Sequence, residues 1–191
     1  MRLDRKQGTE SNPPGGGAGG EGRVLPLRGR RPRPNDFDRA HEEALDRLHR
    51  TIEEAVAHEP EWPQQVAAAI RALLAFAAED PASASTLTHE TLARGGEQIA
   101  RYRRLVEFLA TVLAPGRDAG PTPALLPDLL EEAIAGGFLM LVGGRLAQSR
   151  QDELPGLAAG TIEFALTSYL GQEQARLVAA ESEPRVNAED S

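Results

Sequence analysis

Residues 129–145, LLEEAIAGGFLMLVGGR, decide how the chain is read. Leu129, Leu130, Ala133, Ile134, Leu141 and Val142 recur at helical spacing, and the glycine pairs Gly136-Gly137 and Gly143-Gly144 fall seven residues apart, on one face of that helix. Glycine in a helix interior costs about 1 kcal/mol against alanine, so roughly 4 kcal/mol has to be offset by something other than local propensity. Close approach of another helix is the compensation the pattern predicts. After a short turn a second long helix carries Leu157, Ile162, Ala165, Leu166, Tyr169 and Leu170, and stops at Gly171, the residue type suited to a left-handed C-terminal cap. Two heavily apolar helices over residues 121–171 make half of a four-helix bundle, which a second copy of the chain would complete.

Upstream, the same periodicity lays out further helices. Asn35 or Asp36 caps a helix to about His58, with Ala44, Leu45, Leu48, Ile52, Ala55 and Val56 on one stripe. Pro60 and Pro63 close the loop; Pro63 suits the first turn of the next helix, where its missing N–H is not needed, and Trp62 is the anchor beside it. Val66, Ile70, Leu73, Leu74 and Ala77 carry that helix to Glu79, and Asp80-Pro81 form a second cap and first-turn pair. A short helix to about Ala93 is broken by Gly95-Gly96. Ile99, Tyr102, Leu105, Val106, Leu109, Val112 and Leu113 define a longer one ending before Pro115-Gly116. Thr122-Pro123 would begin the glycine-rich helix, although Pro127 in its first turn moves the start later. Beyond Gly171, a helical stretch from Glu173 to Ala180 gives way to a frayed end over residues 181–191. The expected fold is all-α, six main helices and no convincing strand.

Composition sets the outer limits. A chain of 191 residues, 40% hydrophobic, has room for one domain with a real core plus a tail. It contains no cysteine, which removes disulfides and thiolate metal sites and suits a reducing cytoplasm. No apolar run approaches the roughly 18 residues of a membrane span, and no signal-peptide core begins the chain, so a soluble cytoplasmic protein with no membrane partner is expected. Only Lys6 among 21 basic residues is a lysine, a usage that points to a GC-rich bacterial genome.

Residues 1–35 hold 8 basic and 3 acidic groups with 8 glycines and 5 prolines, while the remainder holds 13 basic and 26 acidic groups. The tail has no apolar periodicity. Ordering it would cost about 1–2 kcal/mol per residue, more than Val24, Leu25 and Leu27 can offset, so it is read as disordered. Its Arg28-Gly29-Arg30-Arg31-Pro32-Arg33-Pro34 tract resembles the minor-groove AT-hook, with Arg31 extending the usual core; the plain alternative is a solvated basic tail. The acidic body repels phosphate, leaving this tract as the chain's one route to nucleic acid.

Catalytic apparatus is not visible. His41-Glu42 and His89-Glu90 begin metalloprotease-like pairs, but Leu45 and Ala93 stand where a second histidine is required. Glu54 and His58, one turn apart, read as an exposed helix-surface pair, and His49 has no partner in any metal or catalytic spacing. No nucleophile elbow, phosphate loop or dinucleotide fingerprint appears, and no cofactor or metal is expected. Phe76, His89, Tyr102, Phe108 and Phe138 are the side chains the helices could turn toward a cavity for an apolar ligand; as aromatics at helical spacing they serve equally well as core.

Taken together, Phe37-Asp38-Arg39-Ala40 into Ala44-Leu45, Glu61-Trp62-Pro63, Ala72 to Phe76, Glu79-Asp80-Pro81, Leu109 to Pro115, Gly136 to Arg145 and Glu153-Leu154-Pro155 through Gly171 resemble, in order and spacing, the C-terminal domain of bacterial TetR-family transcriptional regulators. The resemblance covers about residues 37–180. It implies a ligand-binding part over residues 37–114, sensing a small hydrophobic effector, and a homodimer built by the helices of residues 123–171. Gly136, Gly137, Leu141, Gly144, Ile162, Leu166 and Tyr169 are the interface candidates. Family members carry an N-terminal helix-turn-helix, and residues 1–35 have neither the length nor the pattern for one. Two expectations follow: a wrong start site or reading frame, the true protein having the DNA-reading head, or a shortened homologue that only dimerises and binds ligand. Such a homologue could alternatively act as an interaction protein, forming heterodimers that withhold a full-length regulator from DNA.

Overall fold

A computed structural model describes residues 34–119 and 126–181 of the chain. Among them every regular element is helical and none is a strand. In order these are α1 (Pro34–Ala57), α2 (Trp62–Glu79), α3 (Pro81–Leu87), α4 (His89–Arg94), α5 (Glu97–Leu113), α6 (Gly116–Ala119), α7 (Leu130–Ala147), α8 (Ala158–Leu170) and α9 (Gln172–Glu181). Two single 3₁₀ turns, Gln151–Glu153 and Pro155–Leu157, join α7 to α8. The basic tract of the N-terminal tail, the expected helix start at Thr122-Pro123 and the last ten residues lie outside the described residues.

The hub is α2. Its stripe of Val66, Ile70, Leu73, Leu74 and Ala77 is buried, and it packs against α1, α3, α5, α8 and α9. Each fully buried side chain of this kind contributes about 1.5–3 kcal/mol, which is why so apolar a helix has neighbours on every side. Pro63 lies in its first turn, and Asp80 caps α3 by accepting a hydrogen bond from the Ser83 N–H at 3.1 Å, with Pro81 at the first helical position, as the sequence predicts. Ala44, Leu48 and Ile52 of α1 and Leu105, Val106, Leu109 and Leu113 of α5 complete this side of the core.

Three local expectations are corrected. Helix α1 begins at Pro34, so Asn35 and Asp36 fall inside its first turn rather than capping it. At its other end Glu54 and His58 are both exposed, as their spacing predicts, and the His58 imidazole Nδ1 lies 2.6 Å from the Glu54 carbonyl oxygen. The stretch from Pro81 to Arg94 is two helices, divided at Thr88, whose hydroxyl donates to the Ala84 carbonyl at 2.7 Å and whose backbone leaves the helical region. Ile99, placed by its spacing on the apolar stripe of α5, is exposed.

Helix α7 starts at Leu130, three residues beyond Pro127, and packs on α5, α3 and α4. Helix α8 runs back antiparallel to it and packs on α9, α2 and α6. The two therefore lean on different partners, and the space between them is what positions the site.

Candidate functional site

At one end α7 and α8 are tied together. Glu131, in the first turn of α7 and 7% exposed, receives a hydrogen bond from the Tyr169 hydroxyl at 2.9 Å. Arg117 of α6 holds the same carboxylate through both oxygens, at 2.9 and 2.7 Å, and its Nη2 also donates to the Pro127 carbonyl at 2.6 Å. Burial pushes the Glu131 carboxyl up, but the hydrogen bonds from Arg117 and Tyr169 outweigh that and hold it below the usual carboxylate range. Burial, reinforced by the Glu131 charge, pushes the Tyr169 hydroxyl well above the usual phenol range. Beneath the ion pair the Trp62 ring meets Tyr169 edge-on at 5.3 Å, and its indole N–H donates to the Val112 carbonyl at 2.9 Å. The chain passes the Trp62 ring at Gly116, where a Cβ would sit 2.3 Å from the indole carbons; only glycine leaves room there. Trp62 is thus the anchor its position beside Pro63 suggests. Its link to Gly116, Arg117 and Glu131 has no signature in the sequence, because nothing in their spacing relates a residue of α2 to the start of α6, 54 positions later.

Further along, the same two helices stand apart. Between them lies an apolar groove of about 500 Å³ lined by Gly137, Phe138 and Leu141 from α7 and by Gly156, Gly160, Thr161 and Phe164 from the turn and α8. A Cβ built at Gly137, Gly156 or Gly160 meets nothing within 4 Å, so the glycines leave open space rather than accommodate a neighbour already present. Phe164 beside them is 67% exposed, and Met140 on the outer face of α7 is exposed as well. The groove presents one hydroxyl, that of Thr161, and no ionisable side chain. What it can do chemically is bind an apolar surface. Beneath it, among α2, α5, α7 and α8, is a partly open cavity of about 40 Å³, and Ile134, Phe138 and Thr161 line both spaces.

The two glycine pairs therefore do not act as one face. Gly143 is the one in close contact: a Cβ there would lie 3.1 Å from the Thr88 Cβ and 3.5 Å from the His89 backbone nitrogen, at the α3–α4 corner of the same chain. Gly136 is half-buried, with the Tyr102 hydroxyl 3.4 Å from its carbonyl, while Gly137 and Gly144 open outward. Successive residues lie about 100° apart around a helix, enough to place the members of each pair on different neighbours. Three of the interface candidates are also corrected. Ile162, Leu166 and Tyr169 are buried in the chain's own core, because that side of α8 is sandwiched between α2 and α9.

The five cavity candidates are not brought together. Phe138 alone lines the groove and the cavity beneath it. Phe76 sits in the core below the Arg47 guanidinium, at 5.8 Å. Phe108 stacks on His49 at 3.9 Å, Tyr102 meets Gly136, and His89 keeps its Nδ1 enclosed without a partner. A fully enclosed histidine that its spacing does not single out is His41, 1% exposed, with Nε2 unpartnered. Burial lowers its pKa, as do Arg101 and Arg104, against the smaller opposing pull of Glu42 and Asp38. Among the described residues no cluster of histidine and acidic side chains could hold a metal ion, and no helix is long and apolar enough to cross a membrane. No family model, curated protein or solved structure matches this chain.

Proposed function

We propose that the chain is a ligand-sensing and dimerisation domain of the TetR type, in which a second copy docks on the groove between α7 and α8 and a small apolar effector is taken up beneath it. The observation that carries the reading is the composition of that face. It joins a projecting apolar side chain, Phe164, to glycine-lined depressions at Gly137, Gly156 and Gly160. A surface bearing both knobs and holes is suited to its own copy related by a two-fold axis, since each knob then meets the hole of the other chain. Gly137, Leu141 and Gly144, among the positions marked by the sequence, lie on or beside this face, and the absence of charge from the groove fits the desolvated centre of an obligate interface. In a relative carrying a DNA-reading head, an effector with different affinity for two arrangements of the domain would change the separation of the two heads.

A stable obligate dimer buries upward of about 2,000 Å². Sedimentation equilibrium tests this part directly: the wild-type chain should behave as a particle of twice 20.5 kDa. Gly137→Leu and Gly144→Leu should leave helical content unchanged and yield monomers. If both variants remain dimers, this face is not the interface.

A further inference from the structure

The first two turns of α1 are held to the body by little apolar surface. From Asp36 to Glu43 only Phe37 and His41, one turn apart on one face, are buried, whereas the rest of the helix is anchored in the core by Ala44, Leu48 and Ile52. The other ties at this end are made by charged and polar groups. The Arg94 guanidinium of α4 lies 3.8 Å over the Phe37 ring. Asp38 accepts a hydrogen bond from Gln98 at 3.3 Å and pairs with Arg101 at 3.3 Å, both on α5. Partly exposed pairs of this kind contribute little in water. His41 sits among them, 1% exposed, with its ring 6.2 Å from that of Phe37 and its Nε2 enclosed without a hydrogen-bond partner. A proton added at Nε2 would place a charge where nothing pairs with it, one of the costliest arrangements a fold can hold.

The charges around His41 add to that cost. After burial itself, Arg101 and Arg104 of α5 oppose a positive imidazole and outweigh Glu42 and Asp38 of its own helix, holding its pKa below the ordinary 6.5. Of the other helices packed on α1, α3 carries no ionisable side chain; on α2, Arg71 is drawn to Glu59, and Glu79 lies beside Arg50 and Glu54, farther along α1. We propose that His41 is an acid-operated latch: protonation of its imidazole releases the first two turns of α1, residues 34–41, from α4 and α5 while the rest of the domain stays folded. The basic tract Arg28-Gly29-Arg30-Arg31-Pro32-Arg33 joins the body at Pro34, so the latch governs whether that junction is fixed or free. It needs no second copy of the chain. Once released, the imidazole regains its ordinary pKa. Opening is therefore independent of pH well above 6.5, where the ring is neutral in both forms, and grows as pH falls below 6.5 until the lowered folded value is reached.

Native-state hydrogen exchange of the full chain tests this, read by NMR at single amides and corrected for the intrinsic exchange rate, at pH 7.5 and pH 5.5. Carboxylates stay ionised across this window, so histidines are the groups that titrate. The opening equilibrium at the Arg39, Ala40 and His41 amides should rise roughly three- to tenfold on acidification, while that at Leu73 and Leu74 in α2 changes less than twofold. His41→Gln, which cannot take up the proton, should hold the α1 amides within a twofold change; His41→Leu serves the same purpose if the glutamine variant does not fold. Three results overturn the latch: a rise below twofold in the wild type, the same rise in the His41 variant, or an equal rise at Leu73 and Leu74. The last would mean that the whole domain opens with the helix end.

Discussion

The two ends of the α7–α8 pair differ in what fills the space between them. At Glu131 and Tyr169 the helices are joined through a carboxylate with three hydrogen bonds, resting on a tryptophan wedged against a glycine. Two turns further on, at Gly137 and Gly160, nothing from the chain fills the gap. The first end is a fastening that the fold needs. The second is a surface left open, and the contrast is between side chains whose partners are internal and side chains whose partners are not.

Substitutions should separate the two ends by what they change. The largest effect is expected at the fastened end, where Tyr169→Ala should cost about 3–5 kcal/mol in urea unfolding, the range for truncating a buried aromatic. Tyr169→Phe, which removes only the hydrogen bond to Glu131, should cost about 1.5–3 kcal/mol. If the two variants unfold at the same midpoint, the hydroxyl and not the ring carries the joint. Gly116→Ala should cost about 1–3 kcal/mol, since the added methyl must displace the Trp62 ring and strain its bond to Val112. Loss of the tryptophan's edge-on contact with Tyr169 should appear as a change in near-ultraviolet circular dichroism.

Acid should also act on the fastened end. The folded-state pKa of Glu131 is depressed below its ordinary value of 4.5, so the stability it contributes is fully present above pH 4.5 and is lost as the pH falls through the folded value. Urea midpoints measured between pH 6 and pH 3 should fall more steeply for the wild type than for Glu131→Gln. Equal slopes would mean that another carboxylate dominates the acid limb. The smallest effect distinguishes the glycines of α7. Gly137→Ala, facing open space, should stabilise the fold by up to about 1 kcal/mol through helix propensity, whereas Gly143→Ala should gain nothing or lose stability because Thr88 must give way.

Much of the scaffold was legible because it follows from local rules. The stripe from Val66 to Ala77 repeats at helical spacing and is buried; Pro63 and Pro81 stand in first turns, where a missing N–H costs nothing, and the Asp80 carboxylate accepts from a free N–H of the helix it caps. The site was legible only in outline. The glycine pairs mark α7 as unusual, but periodicity alone cannot tell which glycine touches a neighbour; that depends on Thr88, which reaches α7 only through the turn between α3 and α4. Ile162, Leu166 and Tyr169 have the same pattern whether they face a second copy or α2 and α9. The Glu131 joint was invisible for a related reason: an acidic residue in the first turn of a helix is ordinary, and its partners come from distant parts of the chain.

The account turns on whether the open groove is covered in solution, and the absence of cysteine allows that to be read at single positions. Phe164→Cys in the lining of the groove and Glu53→Cys on α1, both at exposed positions, would be labelled with a maleimide at high and low protein concentration. Coverage of the groove predicts slow labelling at Phe164→Cys when the protein is concentrated, rising as dilution separates the copies, with fast labelling at Glu53→Cys throughout. Fast, concentration-independent labelling at both positions would contradict it.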